Sequence, residues 1–463
     1  MEDRDDKRII LMRDAKPARA VLSMSIPVII GMFIMIFYNL VDTFFIGLLN
    51  DDYQLAASNL AYPVMMICIA VSSMVGTGGA SYIARSLGAG KPERAEHTLT
   101  LGIIIVLCGS IVISVLGLIF SNPLIRLLGA SNETFLFTKQ YVCILLLGSF
   151  FIMGSFVLGQ LLRSEGSTVL SVVGMMAGTV ANIILDPIMI LYLGWGISGA
   201  AFATVLGNVL SVLIFSYFYF SKKTLLRPSI KYIKFDADII KEIFWVGIPA
   251  TLEQLLVSAA YVINNNLASA YGDSTLAATG ISSKIMTFGN YIYQGFSAGC
   301  QPLMGYNYGA KNYLRMKKLI KAGMGITCGI EIFIMIILGI FAPYFVMIFS
   351  RSEHVILIGT QVIRASMLCL PFIGATAISR STFQAMGKPQ NALIITIFRQ
   401  IILYIPLLFI LNHFLGFSGL IHAQPLTEAV IMFFAVSFLW KTIKGIEIKS
   451  ETIKSKQINK KYY

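Results

Sequence analysis

The sequence predicts an all-α polytopic membrane protein with twelve transmembrane helices in two pseudo-symmetric six-helix bundles. Composition is the first reason: the 463 residues are 56% hydrophobic and only 13% charged, with a mean hydropathy of +0.77. Soluble domains carry about 25% charged residues. The apolar residues also lie in long runs, and short motifs recur 220 to 222 residues apart. These features exclude a soluble multidomain enzyme.

Twelve stretches are long and apolar enough to cross a bilayer, because a spanning helix needs about 20 mostly apolar residues. The segment before the first stretch is polar and charged, so we expect no signal peptide. The stretches lie roughly at residues 20–48, 54–82, 97–120, 136–161, 168–192, 197–220, 240–270, 276–305, 319–349, 355–380, 391–412 and 418–441.

Basic residues mark one side of the predicted spans. Asp51 and Asp52 occupy the loop after the first span, and the next loop is basic. With twelve spans every basic cluster falls on the same side, which is the positive-inside pattern. We therefore expect a multi-pass protein of the cell membrane with both termini cytoplasmic, and no nucleic-acid binding despite the net charge of +13. The basic clusters lie at 7–19, 85–94, 222–234, 311–318 and 444–461.

The two halves of the chain repeat each other. We expect an N-lobe at 1–220 with helices 1–6, a cytoplasmic linker loop at 221–239, and a C-lobe at 240–463 with helices 7–12 and a basic cytoplasmic tail. Six spans are an even number, so both halves enter the membrane in the same orientation. Transporters built this way bind substrate between the halves and work by alternating access. The matching positions are Pro27 and Pro249, Gly88 and Gly309, Gly166 and Gly387, and Gly199 and Gly419.

Polar residues within the first-half spans predict an ion site. Asp42 is the only acid in its apolar run, and a charge at the bilayer centre costs ~2.5–3.5 kcal/mol. Tyr38 precedes it by four residues and shares its helix face, and Asn182 and Asp186 have the same spacing in the fifth span. Thr204 follows in the sixth. Oxygen ligands suit hard cations such as Na⁺, and two close carboxylates can share a proton, so we predict an H⁺ or Na⁺ site and no structural metal.

Pro187, which follows Asp186, affects the predicted backbone and the role of that acid. Proline lacks an N–H and disfavours helix at the preceding residue, so we expect an interrupted helix with a free carbonyl beside Asp186. The alternative is that Asp186 only caps a helix break near the outer surface. In the second half, the positions equivalent to Asp42 carry Asn264 and Asn265, which have no charge. We therefore expect the ion site in the first half alone.

The second half has its own buried polar candidates. Lys284, Arg364 and Arg399 lie in the same spans, and intramembrane charges usually pair, so a purely structural role for the acids stays open. Glu253 lies near the cytoplasmic end of its span, where simple solvation is another alternative. The candidates for a substrate cavity or a C-lobe polar cluster are Glu253, Gln254, Asn264, Asn265, Glu331 and Glu428.

Taken together, these motifs make the chain resemble the multidrug and toxic compound extrusion (MATE) transporters, and the bacterial DinF-like branch in particular. The resemblance covers about residues 17–445. The motifs that carry it are Ile26-Pro27, the segment 41–47 around Asp42, Leu87-Gly88-Ala89-Gly90, the segment 182–187, Gly247-Ile248-Pro249, and Pro425 with Glu428.

The resemblance implies two six-helix lobes around a central cavity and export of organic cations in exchange for H⁺ or Na⁺. It also implies an N-lobe ion site at Asp42, Asn182, Asp186 and Thr204, with Tyr38 as a neighbour. Another branch uses an acid deeper in helix 7. This chain has Val257 there and Glu253 earlier, so the resemblance does not extend to that site.

The predicted function is a secondary active multidrug exporter, not an enzyme. No GxxxxGK[ST] motif occurs, which counts against ATP-driven transport. We expect no cofactor. We expect the coupling ion to be H⁺ or Na⁺. We expect a monomer whose partners are amphiphilic or cationic drugs and the lipid bilayer. The alternative is a flippase for a lipid-linked or amphiphilic precursor, which would need a basic, lipid-accessible cavity.

Overall fold

All regular structure in the described residues is helical. The computed structural model describes residues 2–49 and 51–459, with side chains for all of these except 2–6, 39, 40, 52, 273, 276 and 449–459. Most of the predicted basic tail at 444–461 therefore lies outside the described side chains. The chain forms two compact units: unit 1 comprises Met1–Ala15 and Ser23–Thr251, and unit 2 comprises Lys16–Leu22 and Leu252–Tyr463.

The helices before residue 233 include one π-helix and one short 3₁₀-helix. In order they are α1 (Glu2–Arg13), α2 (Pro17–Gly47), α3 (Asp52–Gly88), α4 (Pro92–Ile119), α5 (Ser121–Leu127), α6 (Asn132–Leu147), α7 (Ser149–Ser164), α8 (Thr168–Asp186), the π-helix Pro187–Tyr192, α9 (Gly196–Phe220) and the 3₁₀-helix Ile230–Tyr232.

The helices after residue 233 follow a similar plan, again with one π-helix and one 3₁₀-helix. In order they are α10 (Ala237–Ser269), α11 (Asp273–Gly309), α12 (Tyr313–Met347), α13 (Glu353–Ser366), the 3₁₀-helix Met367–Cys369, α14 (Leu370–Ala385), α15 (Pro389–Ile397), the π-helix Phe398–Tyr404 and α16 (Ile405–Asn459), which consists of two helices that meet at Gly416.

The predicted membrane character is confirmed. Within residues 2–49 and 51–459, ten helices are long and apolar enough to cross a membrane, or eleven if α6 and α7, bent by 52° against each other, form one span. The eighth predicted span, 276–305, lies in α11, which is long enough but is not among these helices. Its polar side chains line a cavity, described below.

Apolar side chains on the outside of the helices fit a lipid environment. Large side chains such as Phe37, Phe220 and Phe433 are 61%, 76% and 66% exposed. Soluble proteins rarely expose apolar patches on this scale. Inside unit 1, buried residues such as Val75, Leu161 and Phe215 form the hydrophobic core.

The repeat predicted from the motifs is visible in the backbone. Three of the first-half positions with positive φ have a counterpart with positive φ in the turn 220 or 221 residues later. Lys311 adopts φ +55° where the first half has Gly90, although a left-handed conformation costs a non-glycine residue about 1–2 kcal/mol. The pairs are Gly90 (+69°) and Lys311 (+55°), Gly166 (+86°) and Gly387 (+67°), and Gly196 (+54°) and Gly416 (+60°).

A buried acid outside the membrane spans joins three segments of unit 1. Glu165, in the turn between α7 and α8, accepts hydrogen bonds from Ser167 Oγ (2.6 Å) and from the backbone N–H of Leu226 (2.8 Å). Arg8 Nη1 of α1 lies 4.0 Å from its carboxylate, and Arg8 Nη2 donates to the carbonyl of Lys223. Burial raises the pKa of Glu165 from 4.5 to about 7, against the opposing effect of these partners.

The left-handed turns predict opposite effects for two substitutions. Gly90→Ala should destabilise the protein by about 1 kcal/mol, because it adds left-handed strain where an added Cβ meets nothing within 4 Å. Lys311→Gly should raise the apparent melting temperature of the purified protein. Gly325→Ala, in open space within α12, is the control and should not destabilise. An unchanged melting temperature for Gly90→Ala, or a lower one for Lys311→Gly, would contradict the left-handed backbone conformation at these two positions.

The raised pKa of Glu165 predicts a pH dependence. Between about pH 4.5 and about pH 7 the folded chain keeps a proton that the unfolded chain releases, so this group contributes less stability as pH rises through that window. Glu165→Gln is neutral at every pH. The melting temperature of wild type minus that of Glu165→Gln should therefore fall from pH 5 to pH 7 and level off by about pH 8. A difference that stays constant or grows with pH would refute this.

Candidate functional site

The five residues predicted to bind a cation come together in unit 1. Tyr38 and Asp42 lie on α2, Asn182 and Asp186 on α8, and Thr204 on α9. The Tyr38 hydroxyl lies 3.4 Å from Thr204 Oγ1. Asp42 is close enough to interact electrostatically with Tyr38 and Asp186. Oxygen atoms from three helices thus share one small region.

Two glycines bring α8 and α9 into backbone contact at this site. A Cβ added to Gly178 would lie 2.4 Å from the carbonyl oxygen of Gly207, and one added to Gly207 would lie 2.6 Å from that of Gly178. Asn182 is one turn beyond Gly178, and its Cβ would lie only 3.0 Å from a Cβ on Gly207. A residue larger than glycine at position 207 would therefore push Asn182 away from α9. Thr204 lies on α9, one turn before Gly207.

The α-helix does end at Asp186, as Pro187 predicts, but the expectation of a break in the helical path is wrong. Asp186 has helical dihedral angles (φ −53°, ψ −59°), and the chain continues as the π-helix Pro187–Tyr192. The wider π turn accommodates a proline that has no N–H to donate. The alternative of a capping role is also wrong, since Asp186 makes no capping hydrogen bond and is fully buried. Such π turns are rare and occur often at functional sites.

The site contains buried polar atoms without hydrogen-bond partners. They are Asp42 Oδ1, both carboxylate oxygens of Asp186 and both side-chain polar atoms of Asn182, counted among the described residues. Buried polar groups are almost always bonded, and an uncompensated buried charge is strongly unfavourable. The acceptor atoms are therefore available to a proton or a small cation.

Two further residues belong to this region, and the sequence did not reveal the first of them, Tyr141; Asn208 lies four residues after Thr204 in the sixth predicted span. Tyr141 on α6 is 9% exposed and interacts electrostatically with Asp42 and Asp186. It is one of 20 tyrosines and has no distinguishing spacing. Asn208 donates to the carbonyl of Thr204 (2.8 Å) and accepts a hydrogen bond from Ser155 Oγ (2.5 Å), which anchors the turn of α9 that carries Thr204.

Two of the acids in unit 2 form ion pairs. Glu428 Oε1 accepts a hydrogen bond from Arg399 Nε (2.7 Å) and lies 2.6 Å from Arg399 Nη2, which agrees with a structural role for this acid. Glu253 is half-buried and pairs with Arg380, so simple solvation of Glu253 is wrong. Arg380 was missed because it ends the predicted span 355–380. Arg364 instead donates to the carbonyl of Gly339 (3.2 Å).

Glu331 is a buried acid of a different kind. Its side chain is fully buried, and within the described part of the chain neither carboxylate oxygen has a hydrogen-bond partner. A Cβ added to Gly289 would lie 3.8 Å from Glu331 Oε2, and one added to Gly374 would lie 3.9 Å from Glu331 Cγ. The pairing expected for intramembrane charges therefore does not extend to Glu331.

Unit 2 contains a partly open cavity of about 520 Å³, lined by both polar and apolar side chains, which we call the unit-2 chamber. Of the predicted second-half residues, Asn264 and Glu428 line it. Glu253, Gln254, Asn265 and Glu331 are not among its lining residues. The polar lining explains the low apolarity of α11. The polar residues that line the chamber include Asn264, Ser283, Lys284, Thr287, Asn290, Arg399, Gln400, Gln424 and Glu428.

Comparison with known proteins bears out the duplication. The family model MatE matches this chain twice, at residues 27–188 and 249–410. The two matches begin 222 residues apart, the spacing of the Pro27 and Pro249 motifs. Together they cover well over half of the chain.

Curated relatives and solved structures agree along nearly the whole length. The chain is 29% identical to the multidrug export protein MepA of Staphylococcus haemolyticus over 435 residues, covering 94% of this chain and 96% of the relative. MepA of Staphylococcus aureus strain MRSA252 is also 29% identical, over 427 residues, covering 92% and 94%.

The fold matches solved transporters equally well. An outward-facing multidrug resistance MATE family transporter of the MOP superfamily superposes with a TM-score of 0.90 at 29% identity, covering 94% of this chain and 98% of that one. A crystal structure of MATE in the straight conformation gives a TM-score of 0.90 at 28% identity, covering 95% and 99%. The chain therefore belongs to the MatE family of multi-pass membrane transporters, which are not enzymes.

Proposed function

We propose that this protein is a secondary active exporter that exchanges organic, mainly cationic compounds for H⁺ or Na⁺. The observation that carries the proposal is the set of buried, unpartnered carboxylate and amide atoms of Asp42, Asp186 and Asn182. The relatives named above are multidrug export proteins, which supports drugs as the cargo. No cofactor is part of the proposal, and the ion is a transported species.

The proposed cation site couples charge to helix packing. A single proton or Na⁺ shared by Asp42 and Asp186 lowers the net charge of the pair from −2 to −1 and so relieves the repulsion between two carboxylates in a low-dielectric interior. Tyr38, one turn before Asp42, meets Thr204 at 3.4 Å, so α2 contacts α9 directly beside the ion. Ion binding therefore favours one packing of α2 and ion release another, which is the bistable element that alternating access requires.

The membrane arrangement is part of the same proposal. The positive-inside pattern supports a cell-membrane protein with cytoplasmic termini. The repeat supports an N-lobe at 1–220, a cytoplasmic linker at 221–239 and a C-lobe at 240–463, acting as a monomer, because a chain with two internal halves does not need a second copy to complete it.

A flippase for a lipid-linked precursor remains the second candidate. It predicts a basic, lipid-accessible cavity, and the acids of the unit 1 site count against it. The efflux assay below separates the two, since a flippase that carries only lipid-linked precursors would not export ethidium.

Asp42→Asn should abolish ethidium efflux from cells that express the protein, because an amide cannot take up a proton and carries no charge to hold Na⁺. Asp186→Asn should reduce efflux for the same reason. Efflux is measured by fluorescence decay after preloading, with membrane insertion checked by immunoblot. Glu133→Gln, which changes an exposed acid at the start of α6, is the matched control and should export normally. Full efflux by an inserted Asp42→Asn variant would contradict the ion-carrier role.

A further inference from the structure

The unit-2 chamber carries three formal charges in its lining. They belong to Lys284 on α11, Arg399 in the π-helix after α15, and Glu428 on α16. Arg399 and Glu428 form an ion pair: Arg399 Nε donates a hydrogen bond to Glu428 Oε1 (2.7 Å), and Arg399 Nη2 lies 2.6 Å from the same oxygen. Their charges cancel, so the lining as a whole has one positive charge in excess, that of Lys284.

Lys284 has no ion-pair partner among the described residues. It lies eleven residues into α11, about 16 Å along the helix axis, within the eighth predicted span, 276–305. A lone ammonium within a membrane span is unfavourable and marks a functional site by default. The side chain is exposed, and it faces the chamber together with Ser283 and Thr287.

Three amide side chains without hydrogen-bond partners among the described residues line the same chamber. The side chains of Asn264 on α10, Asn290 on α11 and Gln424 on α16 line the chamber and make no hydrogen bond with another residue in the described part of the chain. Tyr261 and Tyr404 add aromatic faces to the wall. The chamber thus offers a fixed positive charge and hydrogen-bond donors for an anionic group, beside an aromatic surface for an apolar body.

We propose that the unit-2 chamber binds the carboxylate of aromatic amphiphilic compounds, with Lys284 as the residue that recognises it. This deepens the proposed export function, on which it rests. The acids of unit 1 suit cations, whereas the chamber suits an organic carboxylate. The substrate class then includes zwitterions that carry both a cationic centre and a carboxylate.

Rhodamine B and its ethyl ester test this directly, because they differ only in whether the carboxylate is free or esterified. Binding of each dye to the purified full-length protein is measured by fluorescence polarisation without any ion gradient. Wild type should bind the free acid more tightly than the ester. Lys284→Met should weaken binding of rhodamine B at least about tenfold, as expected for loss of a charged hydrogen bond, and leave binding of the ester unchanged.

Two control variants complete the design. Lys284→Arg keeps the charge and should retain most of the rhodamine B affinity. Lys441→Met removes an exposed lysine outside the chamber and should change neither dye. Unchanged ester binding by Lys284→Met shows that the chamber is still folded.

Several results would overturn the proposal. These are no saturable binding of rhodamine B by wild type, binding of the ester at least as tight as that of the free acid, or a Lys284→Met variant that alters both dyes equally or neither. Failure of the export function is seen separately, since ethidium efflux depends on Asp42 and an energised membrane, whereas dye binding in detergent depends on neither.

Discussion

The structure of unit 1 is dominated by two carboxylates, one fully buried and one half-buried, that the protein does not itself neutralise. Asp186 is fully buried, and neither of its oxygens has a hydrogen-bond partner in the described chain; Asp42 Oδ1 is in the same state. Proteins do not normally leave such groups uncompensated. The contact of Gly178 with Gly207 and the π turn at Pro187 hold these groups beside α9. A packing arrangement that keeps two acids together without a counter-charge supports the proposal that a proton or Na⁺ binds reversibly here.

Unit 2 has the same plan of turns but a different distribution of charge. Its acids Glu253 and Glu428 are matched by Arg380 and Arg399, and its uncompensated charge in the chamber is the cation Lys284. The duplicated backbone has therefore been preserved, down to the left-handed turn at Lys311, while the polar chemistry of the two halves has diverged. Backbone geometry depends on turns and helix contacts, whereas intramembrane polar side chains are free to change as long as their charges are met by a partner or a ligand.

Much of the fold could be predicted from the sequence, because bilayer thickness imposes long apolar runs and the repeated turns carry glycine. The candidate ion site could be predicted because an acid such as Asp42 is easily recognised within a long apolar run. What could not be predicted depends on three-dimensional neighbours. Tyr141 is indistinguishable from other tyrosines until α6 packs against α9 and brings Tyr141 within electrostatic reach of Asp42 and Asp186. The π turn at Pro187 needs the surrounding helices to support it, and the polar face of α11 makes sense only once the chamber is seen.

The most direct test of the account is dye transport by the purified protein in proteoliposomes, with a pH gradient or a Na⁺ gradient imposed separately. The account predicts that one of these gradients drives ethidium against its concentration difference in wild type and that neither does so in Asp42→Asn. Gradient-driven transport that survives in Asp42→Asn, or wild-type transport that follows neither gradient, would contradict the claim that an ion at the unit 1 site drives export.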